Sequence, residues 1–225
     1  MRRARLQIST MVCLSNVHML MEAKGNQEFS QIFRNADLRL LDGMPLVWSF
    51  QFFHGYRPDR IAGKHLMQAL LEKASHEAIS VFFYGSTPEK LAIAQSYLEI
   101  NFPYLKIAGC YSPPFRSLTA EEYQEHAELI QESGASIVFV ALGCPKQERW
   151  MHTMKGRIPA VMLGVGIALE VLTGQQKSTP TWMENAGLEW LFRLYKEPRR
   201  LAKRYFVTNL QFMGLFIKSM LTGNT

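Results

Sequence analysis

The chain contains the stretch Ser136-Ile137-Val138-Phe139-Val140-Ala141-Leu142, which is followed directly by Gly143-Cys144-Pro145. Every residue of this stretch after the serine is apolar. A strand with one face in water would alternate apolar and polar side chains, so a continuous apolar run indicates burial on both faces. Such strands belong to parallel sheets that helices cover on both sides. The glycine and proline mark the end of the strand.

Shorter runs of the same kind recur along the chain and alternate with helical patterns. Further strands are predicted at 10–14, Leu38–Leu41, 79–84, 105–109 and 160–164. Helices are predicted at 17–33, 64–75, Pro88–Asn101, Ala120–Glu132 and 145–155. This alternation predicts an α/β fold, with a Rossmann-like, mostly parallel sheet and helices on both faces.

Positive charge is concentrated near the C-terminus. The chain has 225 residues and a net charge of +6, and residues 191–206 alone hold six cations and one acid. If this segment is one helix, Arg193, Lys196 and Arg200 share a face, which Lys203 extends. A solvated basic face is the ordinary interpretation. A site for a diphosphate, a phospholipid headgroup or a nucleic acid is the alternative.

The composition changes near residues 177–180, where the α/β pattern gives way to aromatic and basic helical segments. We therefore predict a core at 1–177 and a basic helical appendage at 178–225. Residues 205–221 combine apolar and polar side chains, which is typical of an interfacial helix. The three cysteines lie far apart, so the sequence predicts neither a disulfide framework nor a zinc site and favours a reducing compartment.

Ligands bind at the carboxyl ends of the strands in such sheets, so the residues that follow each strand are the candidates for a site. These residues include Asn16, Asp42, Gly85, Gly143, Gln147 and Gly166. Asn16 fits a helix cap as well as a ligand contact. Asp42 fits a turn as well as a general base. The chain contains no D-x-D sequence, the usual device for holding a nucleotide diphosphate through a metal ion.

Taken in order, these strings resemble the WecG/TagA/CpsF family of bacterial glycosyltransferases. The resemblance is carried by Ser15-Asn16-Val17-His18-Met19, Ala36-Asp37, Asp42-Gly43, Arg60-Ile61-Ala62-Gly63, Tyr84-Gly85, Gly143-Cys144-Pro145-Lys146-Gln147-Glu148, Gly164-Val165-Gly166, Glu189-Trp190-Leu191-Phe192-Arg193 and Glu197-Pro198-Arg199-Arg200. The resemblance implies that Asp42 is the general base and that Asn16, Arg60 and Gln147 bind substrate. It further implies that Arg193 and Arg200 close over the diphosphate, with Lys203 at a third such position. We expect the loops at Gly85, Gly143 and Gly166 to line the same site.

The resemblance also implies a reaction and its partners. An inverting, metal-independent transfer would move a sugar from a UDP-sugar donor to a polyprenyl (undecaprenyl) diphosphate-linked sugar, without a cofactor. The protein would be cytoplasmic and peripheral on the inner face of the bacterial plasma membrane, with no nucleic-acid partner. The sequence leaves a homo-oligomer open. A non-catalytic nucleotide- or nucleic-acid-binding domain with a basic tail is the alternative, whereas the absent glycine fingerprint disfavours a dinucleotide oxidoreductase.

Overall fold

A computed structural model describes residues 1–222 as a six-stranded sheet surrounded by helices. The strands are β1 (Thr10–Ser15), β2 (Leu38–Leu41), β3 (Ser80–Gly85), β4 (Lys106–Tyr111), β5 (Ile137–Ala141) and β6 (Val161–Gly164). All neighbouring strands are parallel, in the order β2-β1-β6-β5-β3-β4. The predicted α/β class is confirmed, and every predicted strand is present within one or two residues of its expected bounds.

The helices lie on both faces of this sheet. They are α1 (Arg2–Arg5), α2 (Val17–Gly25), α3 (Gln27–Arg34), α4 (Met44–His54), α5 (Gly63–His76), α6 (Pro88–Asn101), α7 (Ala120–Glu132), α8 (Lys146–Met154), α9 (Ala168–Leu172), α10 (Thr181–Asn185), α11 (Glu189–Lys196) and α12 (Pro198–Thr222). The apolar stretch 137–141 forms β5, an interior strand of the sheet that pairs with β6 on one side and with β3 on the other.

Strand β5 shows why its sequence had to be continuously apolar. Val138 and Val140 belong to the core beneath α2, α3, α7 and α8, whereas Ile137 and Phe139 belong to the core beneath α5 and α6. All four side chains are buried. Successive side chains of a strand point to opposite faces, so a polar residue at any of these positions would lie in one of the two cores.

Two helix predictions need correction. The predicted helix at 17–33 is two helices, because the Asn26 side chain accepts a hydrogen bond from the N–H of Phe29 (2.8 Å) and starts a new helix there. The basic segment is also broken. Glu197 leaves the helical conformation (φ −133°, ψ 60°) and α12 begins at Pro198, because a proline disfavours helical geometry in the residue before it.

The C-terminal helices pack on the core beside the ends of β1 and β2. Helix α12 lies against α2, and Phe216 of α12 contacts Phe52 and Phe53 at the end of α4, with ring centroids 5.3 Å apart in both pairs. Gly187 lies so close to Trp48 that a β-carbon there would come within 2.7 Å of the indole. Within residues 1–222, no helix is long and apolar enough to span a membrane.

Candidate active site

Five neighbouring strands end in the loops that the sequence analysis selected. In the order of the sheet, β2 leads to Asp42, β1 to Asn16, β6 to Gly166, β5 to Gly143 and β3 ends at Gly85. Because all strands are parallel, these residues lie along one edge of the sheet. The prediction that they share an edge is therefore confirmed, although they divide into separate groups of contacts.

Asp42 is fixed in a tight turn against the end of β1. Its N–H and that of Gly43 both donate to the carbonyl oxygen of Ser15, at 2.9 and 3.3 Å. Asn16 lies beside this turn and caps α2, since its Oδ1 accepts a hydrogen bond from the N–H of Met19 (3.1 Å). The capping interpretation of Asn16 thus holds in this structure. Its side-chain amide nitrogen is not used by the cap and lies on the same edge as Asp42.

Arg60 joins the core to the C-terminal helices. Its Nε donates to the carbonyl oxygen of Asp42 (2.6 Å), and its Nη1 donates to the carbonyl oxygen of Glu184 (3.2 Å). Its Nη2 pairs with the carboxylate of Glu189 and lies 3.8 Å from Oδ1 of Asp42. Three of the five guanidinium N–H groups are therefore committed to protein partners, which places Arg60 in the wall of the site.

Glu189 is a charged residue of this cluster that the sequence did not single out as a site residue. One of its carboxylate oxygens pairs with Arg60 and the other pairs with Arg193, four residues later on α11. Asp42, Arg60, Glu189 and Arg193 thus form a cluster of alternating charge. The four-residue spacing of Glu189 and Arg193 was a signal for their ion pair, but nothing in the sequence indicated the contact with Arg60.

The environment of Asp42 suits a proton acceptor. Burial raises the pKa of Asp42 to about 6, and the negative charge of Glu189 adds to this effect, although Arg193, Arg60 and the N–H of Gly63 oppose it. Gly63 starts the 14-residue helix α5, so the positive end of that helix faces the carboxylate. For Glu189, burial alone would raise the pKa, but the charges of Arg193 and Arg60 lower it. Glu189 is consequently ionised at neutral pH, while Asp42 can exchange its proton.

Arg193 and Arg200 do not share a helical face, contrary to the prediction. The break at Glu197 puts Arg193 on α11 and Arg200 on α12, where Arg200 pairs with Glu197 and is exposed. Only Arg193 contacts the cluster around Asp42. Lys203 is exposed on α12, one turn beyond Arg200. The next residue, Arg204, is partly buried. The pKa of His18 on α2 is lowered mainly by burial and further by the charge of Arg204.

Gln147 organises a second group at the ends of β5 and β6. It is buried, accepts a hydrogen bond from the N–H of Gly143 (3.1 Å) and donates to Oε1 of Glu148 (2.8 Å). A β-carbon on Gly164 would come within 2.7 Å of its Nε2. Gly166 lies beside Gln147 in the left-handed region (φ 52°). The resemblance implies that Gln147 binds substrate, but in this structure its side chain is buried and its amide is bonded to Gly143 and Glu148, beneath the turns at Gly143 and Gly166.

Gly85 ends β3 with a geometry that requires glycine. Its φ is 110°, and a β-carbon would lie 2.6 Å from the carbonyl oxygen of Ala141 on β5. The following helix begins as predicted, with Thr87 as its cap and Pro88 in its first turn. The first turn of this helix is tied to α9, since Lys90 pairs with Glu170 (2.8 Å).

The described residues also bear on two other chemistries, metal binding and nucleophilic catalysis by a cysteine. Among residues 1–222, no group of three or more His, Cys, Asp or Glu side chains is placed to hold a metal ion. Cys144 lies next to the Gly143 turn, but burial and the neighbouring Glu148 raise its pKa. The thiol is therefore protonated at neutral pH, so Cys144 is not an activated nucleophile.

Comparison with known protein families agrees with this arrangement. The family model described as "Glycosyl transferase WecG/TagA/CpsF family" matches residues 1–225. The chain belongs to this family. WecG/TagA/CpsF proteins are bacterial glycosyltransferases of cell-surface polysaccharide synthesis, so the chain is a transferase with a nucleotide-sugar donor and a sugar acceptor. The aspartate, arginines and glycine turns at the carboxyl edge of the sheet are candidates for binding those substrates.

Proposed function

We propose that this WecG/TagA/CpsF protein transfers a sugar from a UDP-sugar to a sugar carried on polyprenyl diphosphate, with inversion at the anomeric carbon and without a metal ion. The observation that carries the proposal is the cluster of Asp42, Arg60 and Arg193. It sets a carboxylate with a pKa of about 6 beside two guanidinium groups. A base of this kind accepts a proton near neutral pH, and guanidinium groups stabilise a diphosphate.

In the proposed reaction, the acceptor hydroxyl gives its proton to the carboxylate of Asp42. The freed oxygen attacks the anomeric carbon while the bond from that carbon to the UDP oxygen breaks. A single displacement of this kind inverts the anomeric configuration, and UDP leaves with the electron pair of the broken bond. In this proposal, Arg193 stabilises the charge that develops on the departing diphosphate.

Arg200 and Lys203 are proposed to complete the diphosphate site. Arg200 pairs with Glu197 at the surface, and exposed ion pairs contribute about 0–1 kcal/mol. A diphosphate therefore competes readily for this guanidinium. Lys203 lies one turn further along α12 and is exposed. Both cations belong to the same helix, so a diphosphate bound beside it would contact them together.

The donor is proposed to bind across the glycine turns at the ends of β3, β5 and β6. Gly85, Gly143 and Gly166 all have positive φ values, and side chains are absent there, so a ligand can approach the backbone closely. Gln147 fixes the Gly143 and Gly166 turns from beneath. Asn16 lies between these turns and Asp42, and we propose that its amide nitrogen contacts a substrate hydroxyl.

Helix α12 is proposed to hold the protein at the inner face of the plasma membrane. Its exposed apolar side chains are Phe206, Val207, Leu210, Met213, Ile217, Met220 and Leu221. Apolar residues combined with nearby cations suit an interfacial helix on an anionic membrane. This placement would bring the active-site edge to the lipid-linked acceptor.

The function is tested by measuring UDP release from a panel of UDP-sugars with a short polyprenyl diphosphate-linked sugar as acceptor. We expect the wild-type protein to form a product with an inverted anomeric centre. We expect Asp42→Asn to form little or none of that product. Glu128→Asn is the matched control, since Glu128 is an exposed carboxylate on α7. UDP-sugar hydrolysis without transfer, or equal turnover by Asp42→Asn, would contradict the proposal. A gel shift with RNA tests the alternative nucleic-acid-binding function.

A further inference from the structure

Glu189 pairs with both arginines near Asp42 but takes no part in the proposed sugar transfer. Its two carboxylate oxygens are divided between Arg60, from the loop before α5, and Arg193, from its own helix. The Nη2 atom of Arg60 is 3.8 Å from Oδ1 of Asp42 and is much closer to Glu189. Asp42 and Glu189 therefore compete for the same guanidinium, and Glu189 holds it.

We propose that Glu189 is a positioning residue that keeps Asp42 available as a base by holding the guanidinium groups of Arg60 and Arg193 away from it. The inference rests on the proposed role of Asp42 as the general base. If Glu189 were neutral, Arg60 would turn its Nη2 toward Oδ1 of Asp42. A carboxylate paired with a close guanidinium holds its proton weakly and is a poorer base.

The charges around Asp42 act in the direction that this inference requires. The groups that face it are Glu189 and Arg193 on α11, Arg60 in the loop, and the N–H of Gly63 at the start of α5. Loss of the Glu189 charge removes the one acidic neighbour in this set and leaves two cations uncompensated. Both changes favour the ionised form of Asp42, so both lower its pKa.

The same arrangement couples the base to the docking of the C-terminal helices. Glu189 lies on α11, and α10 contributes the Glu184 carbonyl oxygen that Arg60 also binds. Undocking of these helices would withdraw both partners from Arg60 and leave it paired with Asp42. The base is thus fully basic when the segment that carries Arg193 is in place.

The direct test is a titration of the Asp42 carboxyl carbon by NMR in the free protein. We expect Glu189→Gln to lower the pKa of Asp42 by about 1 pH unit or more, and Glu128→Gln to leave it unchanged. Adding Arg60→Gln to Glu189→Gln should return it upward, since Arg60 is then absent. An unchanged or raised pKa in folded Glu189→Gln would overturn the inference.

A second titration and a pH profile of kcat/KM also test the role of Glu189. If Glu189→Gln does not fold, Arg60→Gln alone should raise the pKa of Asp42 only slightly, because Glu189 already holds that guanidinium; a rise of about 1 pH unit or more would show that Arg60 pairs with Asp42 and would overturn the inference. In turnover assays, the acid limb of kcat/KM should move to lower pH in Glu189→Gln, which a purely structural role would not produce. The titration needs no substrate. An inactive wild-type protein would therefore count against the proposed function, and an unchanged titration against the role of Glu189.

Discussion

Replacement of Asp42 by asparagine should remove activity and stabilise the fold. A positioned general base contributes about 10²–10⁴-fold to rate, so turnover should fall by that factor while the affinity for the UDP-sugar changes little. The stability effect follows from the raised pKa of Asp42, about 6 against an ordinary 3.8. A carboxyl group with a raised pKa is less favourable as an anion in the folded state than in the unfolded chain.

The structure gives the size and sign of this effect. A difference of this size corresponds to about 2–3 kcal/mol at about 1.4 kcal/mol per pH unit. The folded protein binds the Asp42 proton more tightly than the unfolded chain, so wild-type stability increases as pH falls from about 6 toward 3.8. The advantage of Asp42→Asn is therefore complete above about pH 6 and disappears near pH 4. The side chain is only 23% exposed, so solvent screens this cost weakly.

Thermal unfolding at pH 7.5 and pH 4, measured for wild type and Asp42→Asn, checks the reasoning. For a chain of this length, about 2–3 kcal/mol raises Tm by roughly 5–10 °C. We expect that increase at about pH 7.5 and near-equal Tm values at about pH 4. Glu128→Asn should show neither effect, because Glu128 is exposed on α7. A variant that unfolds at lower temperature at both pH values would refute the argument and make Asp42 a structural residue.

Four further outcomes are expected. The kcat/KM of wild type should be level above about pH 6 and fall tenfold per pH unit below it, because protonated Asp42 cannot accept a proton; a level profile down to about pH 4.5 would contradict this. Activity should survive EDTA; a loss of activity with EDTA that manganese or magnesium reverses would show a metal requirement. Arg193→Ala should lower kcat more than it raises KM, with partial recovery in Arg193→Lys, which keeps the charge without the planar fork; loss of activity in proportion to folded protein would make Arg193 structural. Phe206→Ser combined with Leu210→Ser should weaken sedimentation with anionic liposomes, since both side chains are exposed on α12; equal sedimentation would exclude this face from membrane binding.

The sheet and its functional edge were predictable because both depend on local patterns. Apolar runs such as 137–142 identify strands buried on both faces, and the parallel arrangement then places every loop after a strand on one side. The caps at Thr87 and Asn16 follow from side chains that accept hydrogen bonds at a helix start. Helix α4 was not predicted, because Met44–His54 is almost entirely apolar and shows no helical period.

The basic segment shows where local patterns mislead. Spacing alone put Arg193 and Arg200 on one helical face. The helix that carries Arg193 instead ends at Lys196, and Arg200 lies on the next helix, which begins at Pro198. The sequence contained this signal, since a residue before proline avoids the helical region. Periodicity should therefore be counted separately on each side of such a break. For the proposed diphosphate site, this break means that the two arginines would approach the ligand from two helices instead of one.

The Asp42 site itself depends on contacts that no local pattern encodes. Arg60 contacts Glu184 and Glu189 across more than 120 positions of sequence. In our proposal, the basicity of Asp42 depends on whether Arg60 pairs with Glu189 or with Asp42 itself. A family motif identifies these residues one at a time, but the effect of each charge depends on the distances among all four. Because Glu189 and Arg193 come from a segment outside the sheet, the proposed basicity of Asp42 depends on the docked C-terminal helices as much as on the turn after β2 that carries Asp42.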